Sequence, residues 1–514
     1  MPVKRKTSDS KRKTKLRKRD RESELMEENP QEEEDEELIY EDAEEDVEYD
    51  SEEEERFKEE RRERRLRKQQ ERNEQAPMDE EASSSGPQPL FSRPKKGEKL
   101  EVDRRAYDMR HVLNMEWPCL SFDVLNDTDG LGRVKYPLSC MIVSGTQAED
   151  PSQGQILVKK ISHLCRTRHD RGDDDSSSEE DEEEEEEEDD EADDADPIIF
   201  TKEYNLGGNL LRIRAMPQHT GIVACWTEDG PVQALDLRDQ CSQLNDPKSW
   251  IAQQAQKRLK KKKDVSFFKS SSQDHAADGF ALAWNPKAEG LLASGDSNGK
   301  INIWQRSSES GAGFTATPLQ GHEGSVEDLQ WSPTQENVLS SCSVDGTIRM
   351  WDVRDLKSPE KLKWTADAVD INVISWNMNA GAGQFMASGS DAGVFKVWDL
   401  RMVKRADVTP ISEFNFHQES ISSIEWCPLN SSLLAVASSD MVTFWDFSVE
   451  RDEEVRETAP DDDTAVPPQL MFLHQGVEEC KEIHWHTQIP GLMIATDLNG
   501  FQFFKPVNWK SMLQ

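Results

Sequence analysis

Long apolar runs are missing from this 514-residue sequence: no stretch can span a bilayer, and the N-terminus lacks the apolar segment of a secretory signal. Paired cysteines are missing as well. The eight cysteines (119, 140, 165, 225, 241, 342, 427 and 480) are scattered with no CxxC. That pattern argues against a zinc site or redox dithiol and for reduced core thiols in a cytosolic or nuclear protein. No GxxxxGK[ST] or HExxH occurs, so phosphate-cradling and metalloprotease chemistry lack their usual carriers. No catalytic residue, cofactor, metal or small-molecule substrate is therefore expected, and an enzyme is a remote reading. Apolar residues are scarce, 34% beside 32% charged, too few for a chain that is globular throughout.

What the chain has in excess is negative charge. The formal net charge is −40, and it is local: residues 27–60 hold 21 acids and 2 bases, and residues 173–196 hold 19 acids and no base. The rest is nearly neutral. Both runs have almost no apolar content, cannot offset the entropy of ordering, and are expected to be disordered. They suit basic partners, which they attract or shield from nucleic acid. Ser176, Ser177 and Ser178 directly precede a run of glutamates, a setting for an acidophilic kinase as well as for plain linker serines. KRK at 4–6 and KRKTKLRKR at 11–19 suit a nuclear or nucleolar address, with RNA binding as the competing use. Residues 1–100 thus read as a disordered basic and acidic tail that closes on a Pro-, Ser- and Gly-containing linker.

Order is expected from Asp103. An N-cap at Asp103 and the spacing of Ala106, Met109 and Leu113 predict an α-helix over 101–116, stopped by Trp117-Pro118. LSFDVL at 120–125 then alternates like a strand. Beyond it the chain repeats. Trp304, Trp351, Trp398 and Trp445 each close a strand at intervals of 47 residues, and Phe504 stands in the same place 59 further on. A second tryptophan falls earlier in each unit, at Trp284, Trp331, Trp376, Trp426 and Trp485. Gly299, Gly346 and Gly393 precede the closing tryptophan by five residues, where a tight hairpin must turn. His275, His322, His417 and His474 precede the closing aromatic by 28–30.

Such units resemble the WD-repeat family from 103 to 514, most closely in Gly321-His322…Trp351-Asp352. Five units are clear (275–306, 319–354, 364–401, 413–448, 470–505) and two are weaker (117–204, 208–239). The fold expected is all-β: a seven-bladed WD40 β-propeller over 117–514, one N-terminal α-helix packed on its side, and an acidic insert, 173–196, in the first blade. In that family the first strand completes the last blade, and 117–125 is the candidate partner for 490–505. A histidine that recurs in blade after blade is not a catalytic base. The resemblance places it in a buried network with Ser/Thr, Asp and Trp. His484 and His486 share one side of a strand but lack a third ligand nearby, so no metal site is expected. Inserted loops at 240–274 and 451–468 remain as places for function.

Two stretches carry a narrower resemblance. YDMRHVLNMEWPCLS at 107–121 and DDDTAVPPQLMFLH at 461–474 are similar to the histone-binding WD-repeat proteins. There a helix and an acidic Pro-Pro loop form a side groove for a basic histone helix. Carried over by position, Leu113, Met115, Asp461, Asp462, Asp463, Pro467 and Pro468 would line or rim it, although the loop matches only in character. The paired acid runs resemble the glutamate-rich WD-repeat branch, associated with large-subunit ribosome assembly in the nucleolus. That resemblance implies a chaperone of a basic large-subunit ribosomal protein, located in the nucleus and nucleolus with shuttling to the cytoplasm open. It also implies contact with pre-ribosomal particles only indirectly. Two alternatives stand beside it: a histone chaperone on chromatin, and a substrate receptor of a cullin-type ubiquitin ligase. The second rests on WDVR at 351–354 and WDLR at 398–401, which make Arg354 and Arg401 candidate adaptor contacts.

Overall fold

The computed structural model describes residues 102–167, 196–228, 230–246, 266–270, 274–306, 314–403, 408–449 and 466–513. The basic clusters, the first acid run, all of the second but Asp196, Ser176 to Ser178, and Asp461 to Asp463 lie outside the described residues.

The described strands form seven antiparallel four-stranded sheets. Strands β2 to β5 (within 122–205) make blade 1, β6 to β9 (210–269) blade 2, β10 to β13 (281–320) blade 3 and β14 to β17 (326–365) blade 4. Strands β18 to β21 (371–415) make blade 5, and β22 to β25 (421–475) blade 6. Blade 7 joins β26 to β28 (482–506) with β1, Tyr107–Asn114, from the opposite end of the chain. The middle strands are buried on both faces because a blade stacks on either side. β23, Leu433–Ser438, is buried at every position, whereas the outer β17, Glu360–Thr365, alternates. His275, His322 and His417 lie between the outer strand of one blade and the inner strand of the next, and His474 lies within the outer strand β25, Leu470–Gln475, so the sequence repeat runs out of phase with the structural one. All eight cysteines are free thiols, and only Cys241 is not fully buried.

The hairpin glycines are needed twice over. Gly299, Gly346 and Gly393 have φ of 81°, 72° and 75°. A Cβ on them would also meet the carbonyl oxygens of His322, Asp367 and His417 at 2.7, 2.6 and 2.5 Å.

The N-terminal helix is a correction. Among the described residues of this stretch, 102–116, the one helical turn is a 3₁₀ turn, Arg104–Ala106, which Asp103 caps by accepting from Arg105 N at 3.0 Å. The chain then extends as β1 against β28 (Gly500–Pro506), with Leu113 opposite Phe501. Within eight residues a helical stripe and a two-residue alternation share Met109 and Leu113, so spacing does not separate them. The open edge of β28 decides: its unpaired backbone groups need a ladder partner, and an isolated helix this short is marginal. The ring is clasped as the family resemblance implied, but by 107–114. The stretch at 117–125 instead supplies β2, Phe122–Leu125, the innermost strand of blade 1.

Candidate partner-binding surfaces

The residues most suggestive of chemistry serve the ring itself. In blade 3, His275 Nε2 lies 2.7 Å from Ser294 Oγ, which accepts from Trp304 Nε1 at 2.7 Å. His275 Nδ1 faces Asp296 at 2.8 Å. Blade 4 repeats this with His322, Ser341, Trp351 and Asp345 at 2.7, 2.8 and 2.9 Å. Blade 6 substitutes Thr443, which accepts from Trp445 Nε1 at 2.7 Å and sits 3.0 Å from His417. In blade 5 Trp398 donates to Ser388 at 2.8 Å without a histidine. His474 binds the clasp: its Nδ1 meets the Tyr107 hydroxyl at 2.8 Å and its ring stacks on Phe504 at 3.9 Å. Burial holds its pKa down at about 3 and pushes the Tyr107 phenol up to about 12, so both are neutral.

The earlier tryptophans stitch blade to blade. Trp284, Trp331, Trp426 and Trp485 each donate Nε1 to a carbonyl in the preceding inner strand, at 2.9–3.2 Å. Acids of the preceding blade tie three seams, between blades 1 and 2, 4 and 5, and 6 and 7. Asp123 accepts Ala215 N at 2.7 Å, Asp328 accepts Ile374 N at 3.1 Å, and Glu425 accepts Trp485 N at 2.9 Å. Glu482 closes the ring. It accepts from Phe122 N and Ser121 Oγ at 2.8 Å, Arg212 at 2.8 Å and Arg214 at 2.6 Å. Burial would raise its pKa, but the two guanidinium groups hold it at about 2. These groups line a central channel cavity of about 240 Å³. Its charges are matched to one another and to backbone amides, which leaves no obvious docking role. This network was not legible beforehand; the alternation of Arg212 and Arg214 in a strand was its only signal.

His484 and His486 do not converge. His484 Nδ1 lies 3.2 Å from Glu425, whereas His486 Nδ1 accepts from Gln488 N and Ile489 N, both at 3.1 Å. Among the described residues no three His, Cys, Asp or Glu side chains group as metal ligands.

The side groove is only partly assembled by the residues named for it. Leu113 and Met115 pack into the core shared by blades 7 and 1, with Met109, Phe122 and Phe501. Both are half-buried: Leu113 faces inward because alternate residues of β1 do, and Met115, one residue past the strand, continues that alternation. Pro467 O accepts from Leu470 N at 3.0 Å, and two residues further on Phe472 packs edge-on against Tyr107, ring centroids 5.5 Å apart. Tyr107 and Leu113 are six residues apart on β1, roughly 20 Å of strand, so the described wall nearest the Pro-Pro turn is the Tyr107 end of the clasp.

Arg354 and Arg401 stand at strand ends in blades 4 and 5. Arg354 grips Asp352 at 2.9 and 2.6 Å, and Arg401 grips Asp399 at 2.9 and 2.6 Å. Their side chains are nevertheless 64% and 68% exposed, so each guanidinium keeps an outer face. A cleft of about 570 Å³ between these blades has Asp352 and Arg401 among its lining residues. Sequence reasoning missed a third member: Arg238 holds Asp236 in the same way at 2.8 and 2.7 Å, where no tryptophan announces it.

Comparison with known proteins adds to this geometry. A family model for "Histone-binding protein RBBP4", whose description also covers a component of the CAF1 complex, matches residues 97–165. One described as "WD domain, G-beta repeat" matches 314–352. Ribosome assembly protein rrb1 of Schizosaccharomyces pombe is 35% identical, over 80% of this chain and 82% of its own. Glutamate-rich WD repeat-containing protein 1 of Dictyostelium discoideum is 39% identical over 80% and 82%. Protein HEAT STRESS TOLERANT DWD 1 of Arabidopsis thaliana is 39% identical over 81% and 90%.

Proposed function

We propose a function for this chain from one premise: it belongs to the family of glutamate-rich, ribosome-assembly WD-repeat proteins. Its role is in ribosome assembly, as a protein-binding scaffold that works in the nucleus. Within that role it escorts a basic large-subunit ribosomal protein to nucleolar pre-60S particles. The observation that carries this reading is the pair of acid runs, 21 acids with 2 bases and 19 with none, attached to a body whose channel charges are already matched.

A newly made ribosomal protein exposes basic segments meant for rRNA, which would bind any nucleic acid by releasing its counterions. Acid runs neutralise the same charges and yield them later. Charge gives speed and salt sensitivity but little selectivity, so a specific contact is needed on the ring. We place it beside Pro467 and Pro468, next to the loop that carries Asp461, Asp462 and Asp463. Ser176, Ser177 and Ser178 stay candidates for phosphorylation, which would strengthen the hold on the client.

The match of 97–165 to the histone-binding family supports a second reading, a histone chaperone on chromatin. A competition pull-down separates the two. The purified protein is offered a large-subunit ribosomal protein and a histone pair together at low and high salt. Retention of the ribosomal protein at high salt, with histones washed off, is the expected result. Retention of histones, released by changing Asp461, Asp462 and Asp463 to alanine, would replace the escort reading. The outer faces of Arg354 and Arg401 support the ligase-receptor reading. It is dropped if Arg354→Ala with Arg401→Ala leaves co-purification with the ligase adaptor unchanged.

A further inference from the structure

Blade 4 carries a serine that the function above leaves unused. Ser358-Pro359-Glu360-Lys361 closes the loop between β16, Thr347–Asp352, and β17, Glu360–Thr365. A serine followed by proline, with a base three places on, is the pattern that proline-directed kinases read, and it occurs once in the 514 residues. The other Ser-Pro and Thr-Pro pairs, at Thr317, Ser332 and Thr409, have no base at that place. Ser332 is buried and Thr317 lies within strand β13, Phe314–Gln320, whereas residues 354–358 are all exposed. Ser358 is tied through its main chain alone: its N donates to Asp355 O at 3.2 Å, its carbonyl accepts from Lys361 Nζ, and among the described residues nothing bonds its hydroxyl. Lys361 is set over this loop by a slip in the ladder. Met350 pairs with Leu362 and Trp351 with Glu360, so Lys361 has no residue opposite it. A bulge of this kind re-aims a side chain. Here it turns the ammonium back over the loop, 2.7 Å from Asp355. That ion pair is 39% and 48% exposed and contributes little to stability, so the loop can open to an enzyme.

We propose that Ser358 is a phosphorylation site for a proline-directed kinase and that Lys361 holds the phosphate. Ser358 Oγ attacks the γ-phosphorus of ATP. The new O–P bond replaces the bond to the oxygen bridging the β- and γ-phosphates, ADP leaves, and the hydroxyl proton passes to the base of the kinase. Residues 352–361 hold three acids and three bases, and a phosphate of about −2 gives this balanced loop a net negative charge. The phosphate takes Lys361 from Asp355. Its charge arrives beside the cleft between blades 4 and 5, which Asp352, Lys361 and Arg401 help to line. A carboxylate approaching the outer face of Arg354 then meets repulsion as well as attraction. This site is independent of the escort reading.

The test incubates the purified full chain with ATP and a cyclin-dependent kinase whose activity is first shown on an unrelated Ser-Pro-x-Lys peptide. Mass spectrometry is expected to find phosphate on Ser358 and to lose it there in Ser358→Ala. Lys361→Ala should slow incorporation about tenfold, the loss of one charge-assisted contact to the kinase, at an unchanged melting temperature. Lys361→Arg should restore the rate. Phosphorus NMR then reads the hold: the phosphate on the wild-type chain should titrate below the ordinary second pKa of about 6, and return towards it in Lys361→Ala phosphorylated to completion with excess kinase. Ser358 left unlabelled while the control peptide is labelled overturns the proposal, and so does phosphate confined to Thr409. A titration that is the same with and without the Lys361 ammonium overturns its role in holding the phosphate.

Discussion

At the scale of single residues, three buried histidines should give the stability of the ring a pH optimum. Burial holds His474 and His486 at about 3, far below the ordinary value near 6.5. Unfolded, they take up protons as the pH drops below about 6.5; folded, they do not. Each therefore contributes stability that is present above 6.5 and is lost as pH falls towards 3. His484 behaves in the opposite sense. Burial lowers its pKa, but Glu425 and Glu482 outweigh that and raise it to about 9. Its contribution is full below about 6.5 and declines as pH rises towards 9. Glu482, at about 2, adds to the acid limb below 4.5. Urea midpoints at pH 4.5, 6.5 and 8 should peak at 6.5, and His484→Gln should flatten the alkaline side alone. A midpoint still rising from 6.5 to 8 in the wild type would contradict this account.

At the scale of elements, the clasp is the strand on which ring closure depends. Residues 1–101 lie before it, and their removal should leave the melting temperature unchanged. Removal of 1–114 takes away β1, the Tyr107–His474 bond and the buried Met109, and bares the edge of β28. A fall on the order of 10 °C with aggregation is expected in thermal melts, from the lost apolar burial and the open edge. A melting temperature unmoved by the longer deletion would mean that blade 7 is stable with three strands. The clasp is also where sequence reasoning went astray. Tyr107, Met109 and Leu113 are legible as apolar but not as helix or strand, because the choice lies with a strand almost 400 residues away.

For the whole molecule, charge and fold are expected to be separable. If the acid runs hold the client by its charges, affinity should fall steeply with added salt, and deletion of 173–196 should flatten that slope. The melting temperature should not move, because the strands on either side of the insert, β4 and β5, pair directly with each other. Loss of folding on deletion would show instead that the insert is part of the blade. An unchanged slope would assign client binding to the ring alone.

The sequence by itself determined the propeller, the number of blades and the acid runs, because each is written in local terms. A tryptophan, a glycine at a turn or a row of glutamates has the same physical consequence wherever the chain goes. Only the tertiary structure decided which strand closes the ring, and that Leu113 and Met115 face the core. It alone showed that Glu482 meets Arg212 and Arg214 in the channel. Each of these depends on which distant segment becomes the neighbour. Partners chosen by ring closure lie up to hundreds of residues away and leave no local periodicity to read.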